Sequence, residues 1–269
     1  MPGERDRIQG PAVPGSAGLC RRTGAAGRLV GMTIALVTGA NKGIGYEIAR
    51  QLATGGATVL LGARDPGRGR TAVAALGDLD VHPVALDVTD PDSIAAAATW
   101  IEAHHGRLDV LVNNAGIAID GTHRPSALPL DLLRATYETN VFGVVAVTNA
   151  LLPLVRRSDA GRIVNVSSAL GSLTLTSQPD PPWGRELNLL AYQSSKTALN
   201  AVTVQYAAEL RDTPILVNAA DPGYCATDLN GHRGYLTAAQ GAAVAVRLAT
   251  LPPGGPTGTV QGEGGPLPW

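Results

Sequence analysis

The sequence predicts an α/β fold: three layers around a doubly wound, mostly parallel sheet. Three observations lead there. Short uninterrupted apolar runs recur from Thr33 onward, amphipathic segments with helical spacing lie between them, and the first run ends in a glycine-rich turn. Strands that read as continuous apolar runs are buried on both faces. Regular β-then-α alternation with right-handed crossovers then gives parallel neighbours covered by helices on both sides.

The elements follow in order. Thr33–Val37 reads as the first strand and Gly43–Thr54 as the first helix. Ala57–Leu61 and Arg68–Leu76 form the second strand and helix, Val81–Leu86 and Pro91–His105 the third, and Leu108–Val112 the fourth strand. A long helix is expected from about Leu130 to Leu152, then strand Arg162–Val166, helix Leu189–Arg211, strand Ile215–Ala219 and helix Thr237–Ala249. Gly258–Gln261 is a candidate last edge strand. The segment 169–188, with Pro179, Pro181 and Pro182, falls outside the rhythm as a long polar connection. Long loops at the carboxyl rim of a parallel sheet often hold function; a plain surface excursion is the alternative.

Composition sets limits. A chain of 269 residues, 45% hydrophobic and 16% charged, can bury one large core, which excludes disorder throughout. Twenty-one basic against 22 acidic residues leave a net charge of −1, so no nucleic-acid or acidic-membrane surface is advertised. No run of about 18 apolar residues stands out, and no membrane span is expected. Cys20 and Cys225 make no disulfide framework and suit a reducing, cytoplasmic setting. Residues 1–31 are rich in Gly, Pro, Ala and Arg without any period. They are expected to be a disordered extension, or to lie upstream of a start at Met32, with a targeting or partner-binding arm as the alternative. Residues 32–269 are expected to form one domain.

The glycine-rich turn is Thr38-Gly39-Ala40-Asn41-Lys42-Gly43-Ile44-Gly45. Glycines there allow a tight turn, and the helix that follows offers free N–H groups and the positive end of its dipole to a pyrophosphate. Asn113-Asn114-Ala115-Gly116 follows the fourth strand, and Tyr192 and Lys196 stand four apart, on one face of a helix. Together these motifs resemble the short-chain dehydrogenase/reductase family over 32–269. The Asn41-Lys42 pair and the 24-residue separation of Ser168 from Tyr192 are most similar to its carbonyl-reductase-like branch.

The resemblance implies a Rossmann-type domain and a hydride transfer between a nicotinamide cofactor and a carbonyl or alcohol substrate. Gly39, Asn41, Lys42, Gly43, Ile44, Gly45, Asp87, Val88, Asn114, Ala115 and Gly116 would bind the cofactor, Asp87 by a hydrogen bond to the adenine. Asn113 would secure the fourth strand and the adenine ribose side. Pro222, Gly223 and Thr227 would hold the nicotinamide end. Asn140, Ser168, Tyr192 and Lys196 would be the catalytic set, with Tyr192 and Lys196 also touching cofactor.

Physical chemistry adds detail. A carboxylate at the end of the second strand selects a free ribose 2′-hydroxyl, whereas Gly62-Ala63-Arg64-Asp65 offers Arg64, which with Lys42 favours a 2′-phosphate and hence NADP(H) over NAD(H). Asp65 is the competing group unless it points away or caps the next helix. The Lys196 ammonium is expected to lower the phenol pKa of Tyr192 toward a useful range. Ser168 would polarise the substrate carbonyl; Ser167 is the alternative, since one residue flips the side chain to the other face. Trp183 in the proline-rich connection is a candidate pocket wall, and Cys225 a space-filling residue. His104 and His105, adjacent on a helix, read as a solvated face, and no metal site is expected.

The reading is an NADPH-dependent ketone or aldehyde reductase, or the reverse dehydrogenase, acting on a small molecule. A non-catalytic NADP-binding sensor and an enone C=C reductase are the alternatives. Substrate identity, and monomer against homo-oligomer, stay open.

Overall fold

A computed structural model describes residues 33–184, 187 and 189–269; the expectations for residues 1–31 fall outside the described residues. The strands are β1 (Ile34–Val37), β2 (Thr58–Ala63), β3 (Val81–Ala85), β4 (Val110–Asn113), β5 (Arg162–Val166), β6 (Leu216–Ala220), β7 (Val260–Gly262) and β8 (Gly265–Leu267). They form one sheet in the order β3-β2-β1-β4-β5-β6-β7-β8. All pairings are parallel except β7 with β8. The expected last strand is present, and the antiparallel β8 beyond it was not anticipated.

The helices are α1 (Gly43–Thr54), α2 (Pro66–Ala74), α3 (Pro91–His105), α4 (Leu130–Tyr137), α5 (Gly143–Val155), α6 (Leu173–Thr176), α7 (Leu190–Glu209) and α8 (Ala238–Ala249). Alternation within β1 shows how the layers are built. Ala35 and Val37 join one buried cluster with Ile48 and Leu52 of α1 and Leu248 of α8. Ile34 and Leu36 join the other with Ile101 of α3 and Leu151 of α5. Each such side chain, removed from water, contributes roughly 2 kcal/mol. Strand order reverses between β1 and β4, so the chain leaves the sheet in opposite directions there and opens a crevice at the carboxyl ends, where ligands bind in such sheets.

Two expectations change. The long fourth helix is not one regular α-helix: a wide π turn at Glu138–Phe142 separates α4 from α5. The joined helix Leu130–Val155 is also long and apolar enough to cross a membrane by length and composition, with a mean hydropathy of 1.4 in its most apolar window. Half of that window is buried inside the fold, because α5 packs its apolar face on the sheet.

Candidate active site

The loop after β1 is shaped for close approach. Gly39 and Gly43 take left-handed φ values of 61° and 59°, which other residues adopt at a cost. A Cβ on Gly39 would come within 2.9 Å of the Ala115 Cα, and one on Gly45 within 2.3 Å of the Asn114 amide nitrogen. The loop after β4 is therefore pressed against the loop after β1. Asn114 fastens the contact: its side chain donates to the carbonyls of Thr38 and Gly39, and the Thr38 hydroxyl accepts from the amides of Asn114 and Ala115. Asn113, one residue earlier, points the other way and is buried against Thr148 and Asn165. These bonds tie β4 to α5 and β5.

Helix N-termini around this crevice differ in a telling way. Asp65 caps α2 by accepting from the Arg68 amide, and Asp90 caps α3. Helix α1 has no side-chain cap and no acidic residue in its first turn. Its donors are left for a ligand, which is the chemistry that a dinucleotide diphosphate requires. Asn41, Gly43 and Ile44 line this turn half-buried. Arg64 is exposed at the end of β2, and Asp65 is occupied as a cap. Lys42 departs from expectation. It is no free cation beside Arg64, because its ammonium pairs with Asp228 at 2.6 Å. Across the crevice, Asp87 is half-buried and accepts from the amide and hydroxyl of Thr89, while the buried Val88 carries a carbonyl that a Cβ on Gly143 would meet at 2.7 Å. Thr227 reaches over Gly43, with its methyl 3.7 Å from where a Cβ would stand.

The catalytic candidates converge on the first turns of α7. Ser168, at the end of β5, acts as a hydrogen-bond partner that holds down the pKa of the Tyr192 phenol. Ser167 faces the opposite side and donates to Asn200 in the core. The turn after Ser168 lies so close on α7 that a Cβ at Gly171 would stand 2.7 Å from the Lys196 carbonyl carbon. The Lys196 ammonium is buried, donates to the Val166 carbonyl at 2.7 Å, and lies 5.6 Å from the centre of the Tyr192 ring.

The π turn places Asn140 in the core, wholly buried. Its side chain accepts from the Ile117 amide and donates to the Ile117 carbonyl and the Ser195 hydroxyl. Gly116 fits between Asn140 and Lys196: a Cβ there would lie 3.4 Å from the Asn140 oxygen and 3.6 Å from the Lys196 nitrogen.

The electrostatics overturn one expectation. Burial pushes the Tyr192 phenol up to about 12, and the nearby Asp221 adds to the rise. Burial also lowers Lys196 to about 8. The protein's own groups therefore do not acidify the phenol. Desolvation of a phenolate is the largest contribution, and it outweighs the Ser168 hydrogen bond that acts the other way. Two other readings are adjusted. The 169–188 connection contains the short helix α6 and a half-buried Trp183. His104 stacks on Trp100 and His105 is partly buried against it, so the pair is not simply a solvated face. Cys225 is buried with its thiol on the Pro222 carbonyl, consistent with a space-filling role.

Residues 33–235 match the family described as short chain dehydrogenase. The chain belongs to the short-chain dehydrogenase/reductase family. It is 39% identical over 224 residues to short-chain dehydrogenase anuI of Penicillium roqueforti, covering 81% of this chain and 88% of that protein. It is 32% identical over 295 residues to a (+)-neomenthol dehydrogenase of Capsicum annuum, covering 83% and 93%. The solved structure of an NADPH-bound carbonyl reductase from chicken fatty liver superposes with a TM-score of 0.78 at 27% identity, over 90% of this chain and 100% of that one. This short-chain dehydrogenase/reductase is thus an oxidoreductase of the alcohol–carbonyl couple that uses a nicotinamide cofactor.

Within this dehydrogenase/reductase, Asp120 is a residue that sequence reasoning missed. It is buried, and its carboxylate accepts from the amides of Ala191 at 2.6 Å and of Tyr192 at 3.2 Å. It caps α7 from 72 residues away, where Leu189 supplies no cap of its own. No local signal marks it, because a cap in sequence lies next to its helix.

Proposed function

We propose that the chain is an NADPH-dependent reductase of ketones or aldehydes, with Tyr192 as the proton donor. The observation that carries this is the convergence of Ser168, Tyr192 and Lys196 beside an uncapped α1 at the sheet's switch point. Nicotinamide, when bound, supplies the hydride that goes to the carbonyl carbon. The protein supplies the rest. The Ser168 hydroxyl donates a hydrogen bond to the carbonyl oxygen, and the Tyr192 hydroxyl delivers its proton to that same oxygen, so that one hydride and one proton make the alcohol. A phenol pushed up to about 12 is fully protonated at neutral pH, the state that reduction needs. Lys196 and Asn140 hold the α7 turn and the strand ends in register around it.

Preference for NADPH rests on Arg64, exposed after β2, and on Asp65, which spends its carboxylate as a cap rather than on a ribose hydroxyl. The NADPH-bound carbonyl reductase supports it by analogy. The test is loss of NADPH absorbance with a panel of alicyclic ketones, aryl aldehydes and quinones. Tyr192→Phe should bind NADPH as wild type and lose roughly 10²–10⁴-fold in turnover. A variant that keeps full turnover refutes the role of Tyr192. A wild type that binds NADPH and reduces nothing favours the sensor reading. Product analysis separates carbonyl from C=C reduction.

A further inference from the structure

Asp221 stands at the carboxyl end of β6, between the two loops that frame the reaction, and neither the family match nor the proposed mechanism uses it. One carboxylate oxygen accepts from the Ala169 amide at 3.0 Å, directly after Ser168, and from the Gly223 amide at 3.2 Å. Its own amide donates to Gln261 of β7. Among the described residues no cation pairs with it. The groups facing it are the Tyr192 phenol of α7, the Cys225 thiol, and Gly262 of β7, whose carbonyl already holds Arg247 of α8. Lys196 is turned to Val166.

We infer that Asp221 is a positioning residue, which ties the serine loop to the Pro222–Gly223 loop through one oxygen and holds the Tyr192 proton in place through its charge. The inference rests on the role proposed for Tyr192. Two amides on one oxygen link the residue that orients the carbonyl to the segment expected at the nicotinamide. A carboxylate held by two amides but paired with no cation, near a buried phenol, opposes formation of a second negative charge. Reduction needs the phenol and alcohol oxidation needs the phenolate, so the charge confines oxidation to higher pH. Burial is the larger cause of the upward shifts at Tyr192 and at Cys225, and the Asp221 carboxylate adds to both.

The test compares Asp221→Asn, which keeps the acceptor oxygen and loses the charge, with Asp221→Ala, which loses both. Asp221→Asn should move the rising limb of alcohol oxidation, where the phenolate forms, down by about one pH unit, the order of effect of removing one nearby unit charge. Asp221→Ala should show the same shift together with a several-fold rise in the KM for NADP. An Asn variant whose profile overlays wild type overturns the electrostatic part; an Ala variant with wild-type KM overturns the tie. Phenolate ultraviolet absorbance gives a readout that needs no turnover, with Tyr192 isolated by subtracting Tyr192→Phe in each background. Its rise should come at lower pH in Asp221→Asn, and coincident curves overturn the inference. A wild type that shows this difference but reduces no carbonyl would instead refute the proposed function alone.

Discussion

Replacing Asp120 by alanine tests whether the catalytic helix is held from outside itself. The substitution strips the acceptor from two amides of the first turn of α7, those of Ala191 and Tyr192. Ala191 is fully buried, so water cannot replace the lost partner there, whereas the bond to the Tyr192 amide is longer, at 3.2 Å, and only partly buried. An orphaned buried amide costs about 1–3 kcal/mol, and a bond to a charged group lies at the upper end, so the two together should cost about 3 kcal/mol. For a domain of this size 1 kcal/mol moves Tm by about 2–4 °C, which gives a fall of roughly 6–12 °C. Asp120→Asn keeps one acceptor and should lose about half as much. The assay is thermal unfolding by circular dichroism, with turnover measured well below the transition. Turnover in Asp120→Ala should fall about tenfold while the protein is still folded, because Tyr192 rides on the turn that frays. A Tm within about 2 °C of wild type would show that α7 needs no external cap, and the reasoning would be wrong.

The other expected outcomes are more compact. Arg64→Glu should lower the ratio of kcat/KM for NADPH over NADH by at least about tenfold, since a carboxylate repels the 2′-phosphate and accepts from a 2′-hydroxyl; an unchanged ratio removes Arg64 from the site. Asp228→Asn frees Lys42 from an exposed pair worth about 0–1 kcal/mol, so the KM for NADPH should fall by at most about fivefold; a higher KM would mean that Lys42 serves the loop rather than the cofactor. Gly171→Ala places a methyl 2.7 Å from the Lys196 carbonyl carbon and should cost about 1–3 kcal/mol in urea unfolding, with lower turnover in the folded fraction. Lys196 has its folded pKa depressed from 10.5 to about 8, so the fold prefers the neutral amine. Its charge therefore costs stability below pH 8, and the cost fades as pH rises to about 10.5. Lys196→Met should be more stable than wild type at pH 7 by at most about 3 kcal/mol, before the lost bond to Val166 is subtracted, and this margin should shrink toward pH 10.5. Paired urea curves that run parallel across that window would show that burial of Lys196 is not what shifts it.

Much of the fold was legible because its causes are local. The two-sided burial of β1 is written in Ile34–Val37, where every residue is apolar and every residue is buried. Asp65 and Asp90 sit directly before the helices they cap. Gly39 and Gly43 take the left-handed conformations that a tight turn after a strand calls for. The choice between Ser167 and Ser168 was not local. The resemblance favoured Ser168, and it is Ser168 that bonds the Tyr192 phenol while Ser167 turns to Asn200.

The sequence by itself determined the order of strands and helices, the turn before α1 and the side chains available for chemistry, because periodicity and turn propensity act over a few residues. The tertiary structure alone decided which partners the charged groups find: Asp228 for Lys42, and the amides at the start of α7 for Asp120. It also reversed the sign expected for the phenol, since the cost of burying a charge depends on everything packed around it, and chain neighbours four residues apart reveal little of that.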